Sequence, residues 1–141
     1  MDTIQSQSTS CLSSIGQAAA VAALEGPKDF IKENNIIYNQ RREIMVKMLN
    51  EAPGLKCDLP DGAFYTFPKC SDLFGLKTPD GDTISDDTDL SRFFIQSIGV
   101  AVVPGAAFGL PGHIRFSYAT DTQSIREGCN RIQNACTNLL K

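Results

Sequence analysis

Between Pro27 and Pro53 the large apolar residues recur every seven positions. Phe30, Ile37 and Ile44 form one row, Ile31, Tyr38 and Met45 the next, and Met48 and Leu49 extend the stripe. Residues at this spacing share one face of an α-helix. The other face carries Lys28, Glu33, Asn34, Arg41 and Arg42. The spacing predicts an amphipathic helix from Pro27 to Glu51, roughly 37 Å long. Such a helix spans a domain or links two. About three repeats are too few to favour a coiled-coil seam over a core-facing stripe.

Around that helix the chain punctuates itself. Residues 1–10 are polar and read as extended. A helix is expected from Leu12 to Leu24, closed by Gly26, with Pro27 at the first position of the next. Pro53 and Gly54 stop the long helix. Strands are expected over Leu55–Asp58 and Ala63–Phe67, joined as an antiparallel hairpin by Pro60, Asp61 and Gly62. A helix from Thr88 to Ile98 ends at Gly99 in the position a left-handed glycine takes. Val100–Val103 reads as a short buried strand, and Pro104–Gly112 as a glycine-rich loop. His113–Tyr118 reads as a strand with Ile114, Phe116 and Tyr118 on one face and His113, Arg115 and Ser117 on the other. Thr120 with Gln123 resembles a capping box, opening a last helix whose stripe is Ile125, Cys129, Ile132, Cys136 and Leu139. The expected fold class is α+β: a small antiparallel or mixed sheet with helices on one side and a long N-terminal connecting helix.

At 141 residues the chain has the length of one domain, expected to expose roughly 7,000 Å² when compact. Thirteen basic against sixteen acidic side chains leave a net charge of −3. That balance opposes nucleic-acid binding, which calls for a basic face, and a polybasic membrane anchor. No Lys or Arg precedes Lys28, and the apolar run Ala18–Leu24 is too short to span a bilayer. The expected location is the cytoplasm. The five cysteines (Cys11, Cys57, Cys70, Cys129, Cys136) contain no CxxC pair and read as reduced, buried thiols. With His113 as the one histidine, no multi-histidine metal site can form within the chain. Residues 71–89 hold Asp72, Asp80, Asp82, Asp86, Asp87 and Asp89 against Lys77, a local charge of −5. They lack the ligand order of a calcium loop and read as a solvated loop.

Three features could carry chemistry. Arg115, in the middle of a strand, must reach water or an anion, and its planar fork matches a carboxylate or phosphate. On an edge or an exposed sheet face it would be merely structural. Val103–Gly109 is rich in small residues, which suits either a tight turn or close backbone approach to another surface. It lacks the spacing of a nucleotide-binding loop. Gly62-Ala63-Phe64-Tyr65 is either core or the wall of a cleft.

Taken in order, Thr3–Ser10, Asp61–Tyr65, Gly99–Gly105 with Phe108-Gly109, and His113–Ala119 resemble segments of class I pyridoxal-phosphate aminotransferases, the bacterial aspartate aminotransferase branch in particular. The resemblance covers essentially the whole chain but only the C-terminal third of such an enzyme. It implies the small domain of a fold-type I enzyme at 27–141, with residues 1–26 an interface segment and helix from the large-domain side. It implies that Arg115 holds the substrate α-carboxylate. Gly62, Ala63, Phe64, Tyr65 and Phe108 would line or support the cleft. Gln7, Ser8, Thr9 and Ser10 would lie near a dimer interface and the neighbouring active site. The parent would be a homodimer using pyridoxal 5'-phosphate to exchange amino groups between amino acids and 2-oxo acids, aspartate and 2-oxoglutarate first among them. The Schiff-base lysine of the family has no counterpart among Lys28, Lys32, Lys47, Lys56, Lys69, Lys77 and Lys141, so the chain alone is expected to be inactive and not to hold the cofactor. A stand-alone, non-catalytic carboxylate-binding or interaction module is the alternative.

Overall fold

The computed structural model describes residues 2–139; Met1, Leu140 and Lys141, which belong to the expected end segments and the lysine set, lie outside it. In chain order the elements are α1 (Asp2–Ser8), α2 (Ser14–Glu25), α3 (Asp29–Asn50), β1 (Tyr65–Thr66), α4 (Asp87–Ile98), β2 (Val103–Pro104), β3 (Ile114–Ser117) and α5 (Thr122–Thr137). Short 3-10 turns occupy Ser71–Leu73 and Gly105–Phe108. The chain forms two compact units that divide between Asn35 and Ile36, within α3.

The first unit is helical and buries none of its described side chains. Residues 2–8 are a helix and not an extended strand, contrary to the expectation from their polarity. The Ser6 and Ser8 hydroxyls donate back to the carbonyls of Thr3 and Ile4, a local bonding pattern that keeps polar residues compatible with a helix. α3 begins at Asp29, so Pro27 precedes the helix instead of opening it.

The second unit holds the core. α3 contributes Met45 and Leu49, α4 Leu90 and Phe94, β3 Ile114 and Phe116, and α5 Ile125, Cys129, Ile132, Ala135 and Cys136. The stripe read from the sequence is therefore buried only in the second half of α3; Phe30, Ile31 and Ile37 are exposed. The total accessible surface, 9211 Å², exceeds the roughly 7,000 Å² expected. The unburied apolar residues of the first unit contribute to that excess.

The sheet is antiparallel with order β1-β3-β2. Tyr65 pairs with Ser117 and Thr66 with Phe116, while Val103 pairs with Arg115 and Pro104 with Ile114. The expected hairpin between 55–58 and 63–67 does not form. Only Lys56 bridges Lys69, and β1 pairs instead with β3. The Asn50 side chain explains the diversion: it donates to the Cys57 carbonyl and accepts the Cys57 N–H, both at 2.8 Å, holding this segment against the end of α3. The expected strand over 100–103 shrinks to Val103–Pro104, a half-buried edge. Gly99 does take the left-handed conformation (φ 66°) and closes α4. Asp121, not Thr120, caps α5, its carboxylate accepting the Ser124 N–H at 2.8 Å. Among the described residues no helix is long and apolar enough to cross a membrane.

Candidate functional site

β3 sets the site by its alternation. Ile114 and Phe116 point into the core, leaving Arg115, half-buried, and Ser117, exposed, on the outer face. Tyr65 reaches that face as the register partner of Ser117, and buried Thr66 faces the core beside Phe116.

The Arg115 guanidinium carbon lies 4.3 Å from the centre of the Tyr65 ring and 4.4 Å from that of Phe108. Both are well inside the range of about 6 Å over which a ring quadrupole attracts a cation. Phe108 meets the Phe67 ring edge-on at 6.1 Å, and Phe67 stacks on His113 at 5.5 Å. No carboxylate pairs with Arg115 among the described residues. Its delocalised charge is thus held against aromatic surface, and no side-chain acid occupies its donor fork. A fork presented in this way has the geometry to take a planar anion bidentately.

Each ring is anchored separately. On the Tyr65 side, the turn before β1 is held by three donors. Arg42 donates to the Pro60 carbonyl at 2.8 Å, the Tyr118 hydroxyl to the Ala63 carbonyl at 2.9 Å, and the Tyr118 N–H to the Phe64 carbonyl at 2.9 Å. Burial pushes the Tyr118 phenol above its ordinary range, against a smaller opposing pull from the Arg42 charge. The phenol therefore stays protonated and remains a donor. These bonds hold Ala63 at φ 59°, a left-handed conformation that costs a side-chain-bearing residue about 1–2 kcal/mol.

On the Phe108 side, the turn Gly105–Phe108 is tied to the residue before β3 by the Gly105 N–H, which donates to the His113 carbonyl at 2.7 Å. A Cβ at Gly105 would run into the carbonyl oxygens of Leu110 and His113, so the approach requires glycine. The turn is also tied to α4. Asp87, only 2% exposed, accepts the Ala106 N–H at 2.8 Å.

Of the residues singled out from the sequence, Tyr65 and Phe108 meet Arg115 directly. Phe64 packs on Tyr65 with ring centres 4.6 Å apart. Gly62 is exposed with open space around it, and Ala63 forms the strained step of the turn. Gln7, Ser8, Thr9 and Ser10 lie in the first unit, all exposed, where the Gln5 carbonyl accepts the N–H groups of Thr9 and Ser10. Phe67 shares the face of Tyr65 two positions on, a spacing the sequence shows, but its place in the aromatic cluster has no sequence signal. Nothing in the sequence sets Asp87 apart from the other aspartates of its segment. The 71–89 segment is not simply a solvated loop: Leu73, Thr78, Ile84 and Asp87 are buried, and paired backbone bonds between Gly75, Leu76 and Ile84 close it. A hollow of about 640 Å³ lies between this segment and α4, lined by Asp80, Asp82, Asp89 and Arg92, and does not include Arg115.

Residues 1–132 match the family described as "Aminotransferase class I and II". The aspartate aminotransferase of Rhizobium meliloti (strain 1021) is 49% identical over 139 residues, covering 99% of this chain and 34% of that protein. The aspartate/prephenate aminotransferase of Cereibacter sphaeroides is 48% identical, covering 99% of this chain and 35% of its own length. The crystal structure of the aspartate aminotransferase from Rhizobium meliloti superposes with a TM-score of 0.91 at 48% identity, over 97% of this chain and 34% of that one. The chain spans about a third of the length of the curated relatives it matches. With the α+β architecture, a close structural match and a family match over nearly all its residues in agreement, the chain belongs to the class I and II aminotransferases.

Proposed function

We propose that this chain supplies the substrate-reading arginine of an amino-acid aminotransferase acting on amino acids and 2-oxo acids, of the aspartate and 2-oxoglutarate type. Arg115 holds the α-carboxylate. The observation that carries this is the Arg115 guanidinium set 4.3 and 4.4 Å from two rings with no acid paired to it among the described residues. The relatives named for aspartate and prephenate support the substrate class. Residues 27–141 act as the small domain with its connecting helix. Residues 1–26 act as an interface segment in a cytoplasmic homodimer, with Gln7–Ser10 toward the neighbouring active site.

The family resemblance implies pyridoxal phosphate in a longer parent. The described residues do not fit it as a resident group. A Schiff-base lysine needs an activated, desolvated amine, whereas Lys28, Lys32, Lys47, Lys56, Lys69 and Lys77 are all exposed, and Lys56 and Lys69 both lie against Asp72. The part left to this chain is to bind and orient a carboxylate.

In a full-length aminotransferase carrying this segment, Arg115→Lys is expected to raise KM for aspartate and 2-oxoglutarate roughly ten- to a hundredfold. That is the value of a charge-assisted bond whose bidentate fork is lost. In this chain, Arg115→Ala should lower the melting temperature by only a few degrees, the loss of two ring contacts worth about 0.5–1 kcal/mol each. An unaltered KM, or unfolding of the chain by Arg115→Ala, sinks the assignment.

A further inference from the structure

We propose that Asp87 is a positioning residue for Arg115, acting through the turn that carries Phe108. This rests on the reading of Arg115 as a carboxylate-binding group.

Asp87 is the most deeply buried of the acidic side chains in its segment, at 2% exposure. Burying a carboxylate is costly unless it is hydrogen-bonded and its charge is balanced. Two features of its place meet that cost. It sits in the first turn of α4, where the positive end of the helix dipole favours an anion. It also accepts the Ala106 N–H at 2.8 Å, across nineteen residues of sequence.

Helix capping does not need it, because Asp86 already accepts the Asp89 N–H at 2.8 Å. What Asp87 adds is a tie between the helical layer and the Gly105–Phe108 turn. The backbone bond from Gly105 to the His113 carbonyl secures the turn's first residue, and at its far end the Phe108 ring has only the edge-on contact with Phe67, which sets no backbone position. Phe108, three residues on, is 49% exposed, yet its ring lies 4.4 Å from the Arg115 guanidinium carbon. The Asp87–Ala106 bond therefore fixes the second point of the turn. It holds the Phe108 ring over Arg115 and so sets the direction in which the guanidinium fork is presented.

The test uses nuclear magnetic resonance of this chain. The Arg115 Nε–Hε signal, assigned by its loss in Arg115→Lys, is displaced from its free position by the ring currents of Phe108 and Tyr65. Asp87→Ala should move it toward the free position in the folded protein and raise the Kd for succinate roughly three- to tenfold, because the fork then points in its binding direction only about a third to a tenth of the time. Asp87→Asn, which keeps an acceptor oxygen, should restore both to near the starting values. Phe108→Leu should move the signal too, as the ring that sets it is removed; Ala106→Pro, which lacks the N–H that Asp87 accepts, should move it as Asp87→Ala does and keeps the test alive if Asp87→Ala does not fold.

Overturning results are an unmoved Arg115 signal in folded Asp87→Ala or Ala106→Pro accompanied only by a lower melting temperature, an unmoved signal in Phe108→Leu, or no restoration by Asp87→Asn. The signal position needs no ligand. Should the unsubstituted chain ignore succinate while the signal shifts as expected, the carboxylate reading fails and the positioning stands. Should succinate bind while the signal is indifferent to Asp87, the positioning fails alone.

Discussion

Helices α2 and α5 are opposites. α2 is built from Ile15, five alanines, Val21 and Leu24, with no charge before Glu25, and it buries nothing; Ile15 is 81% exposed and Leu24 70%. α5 is polar on average, carrying Arg126, Glu127, Arg131 and four amide side chains, yet it buries five residues. The difference is one of arrangement. In α5 the apolar positions 125, 129, 132 and 136 make one stripe that meets the core. In α2 they surround the axis, so no single face can satisfy them. A helix apolar all round belongs inside a larger body, which agrees with a chain spanning about a third of its relatives' length.

The largest expected effect sets these helices against each other in stability. Ile132→Ala in α5 removes a side chain 1% exposed and should cost about 2–5 kcal/mol by urea denaturation. Leu24→Ala in α2 should change stability by no more than about 0.5 kcal/mol. Equal losses would mean that α2 is packed in solution. The same exposed residues should drive association, since contiguous apolar surface is rarely left in water. Light scattering should find a dimer or larger species that Ile15→Gln with Leu24→Gln shifts toward monomer. A monomer at high concentration before substitution contradicts this.

The same contrast explains what could be read from the sequence. The long helix, the α5 stripe and the alternation of β3 were legible because each is a local period imposed by one face meeting a core. The register of β1 was not. Tyr65 and Thr66 find Ser117 and Phe116 some fifty residues away, and alternation alone does not name a strand's partner. The Asn50 side chain that holds the Cys57 segment gives no periodic signal. Arg115 could be placed on its face by alternation, while the ring of Phe108 reaches it through a turn whose path depends on Gly105 and Asp87. Asp87 was hidden by its neighbours: in a run of six aspartates, charge density suggests solvent, and nothing local marks the one that turns inward.

Thiol chemistry sharpens the comparison next. Cys11 in the first unit is exposed, and the four cysteines of the second are buried. Burial pushes Cys57 and Cys129 from the ordinary 9.0 to about 11, and Cys70 and Cys136 to about 12. A disulfide reagent at pH 8 should therefore titrate one thiol quickly, and all five only in denaturant, since the thiolate is the reacting form. Because the folded values are raised, the thiols contribute stability fully below about pH 9. That contribution is lost as pH rises through 11 to 12, where the chain should unfold. Fast reaction of two or more thiols in the native chain would place part of the second unit's core in water.

The smallest effect lies at the helix starts. In the second unit both α4 and α5 begin on an aspartate whose carboxylate accepts an N–H of the first turn, Asp86 from Asp89 and Asp121 from Ser124, each at 2.8 Å. In the first unit Ser13 precedes α2 without any such bond. Asp86→Ala should thus cost about 1 kcal/mol, the ordinary value of a cap, while Ser13→Ala should cost almost nothing. Acid titration gives the sign independently. Hydrogen bonds from the Ser124 hydroxyl and N–H lower the Asp121 carboxyl below its ordinary range. A lowered folded value contributes stability above the unfolded pKa of about 3.9 and loses it as pH falls through the folded one. The stability gap between the unsubstituted chain and Asp121→Asn should therefore be present at pH 7 and close in acid, whereas Ser13→Ala shows no gap at either pH. A gap that persists unchanged into acid would mean that the charge of the Asp121 carboxylate does not stabilise the start of α5, and an equal loss at Ser13 would erase the distinction between the two units.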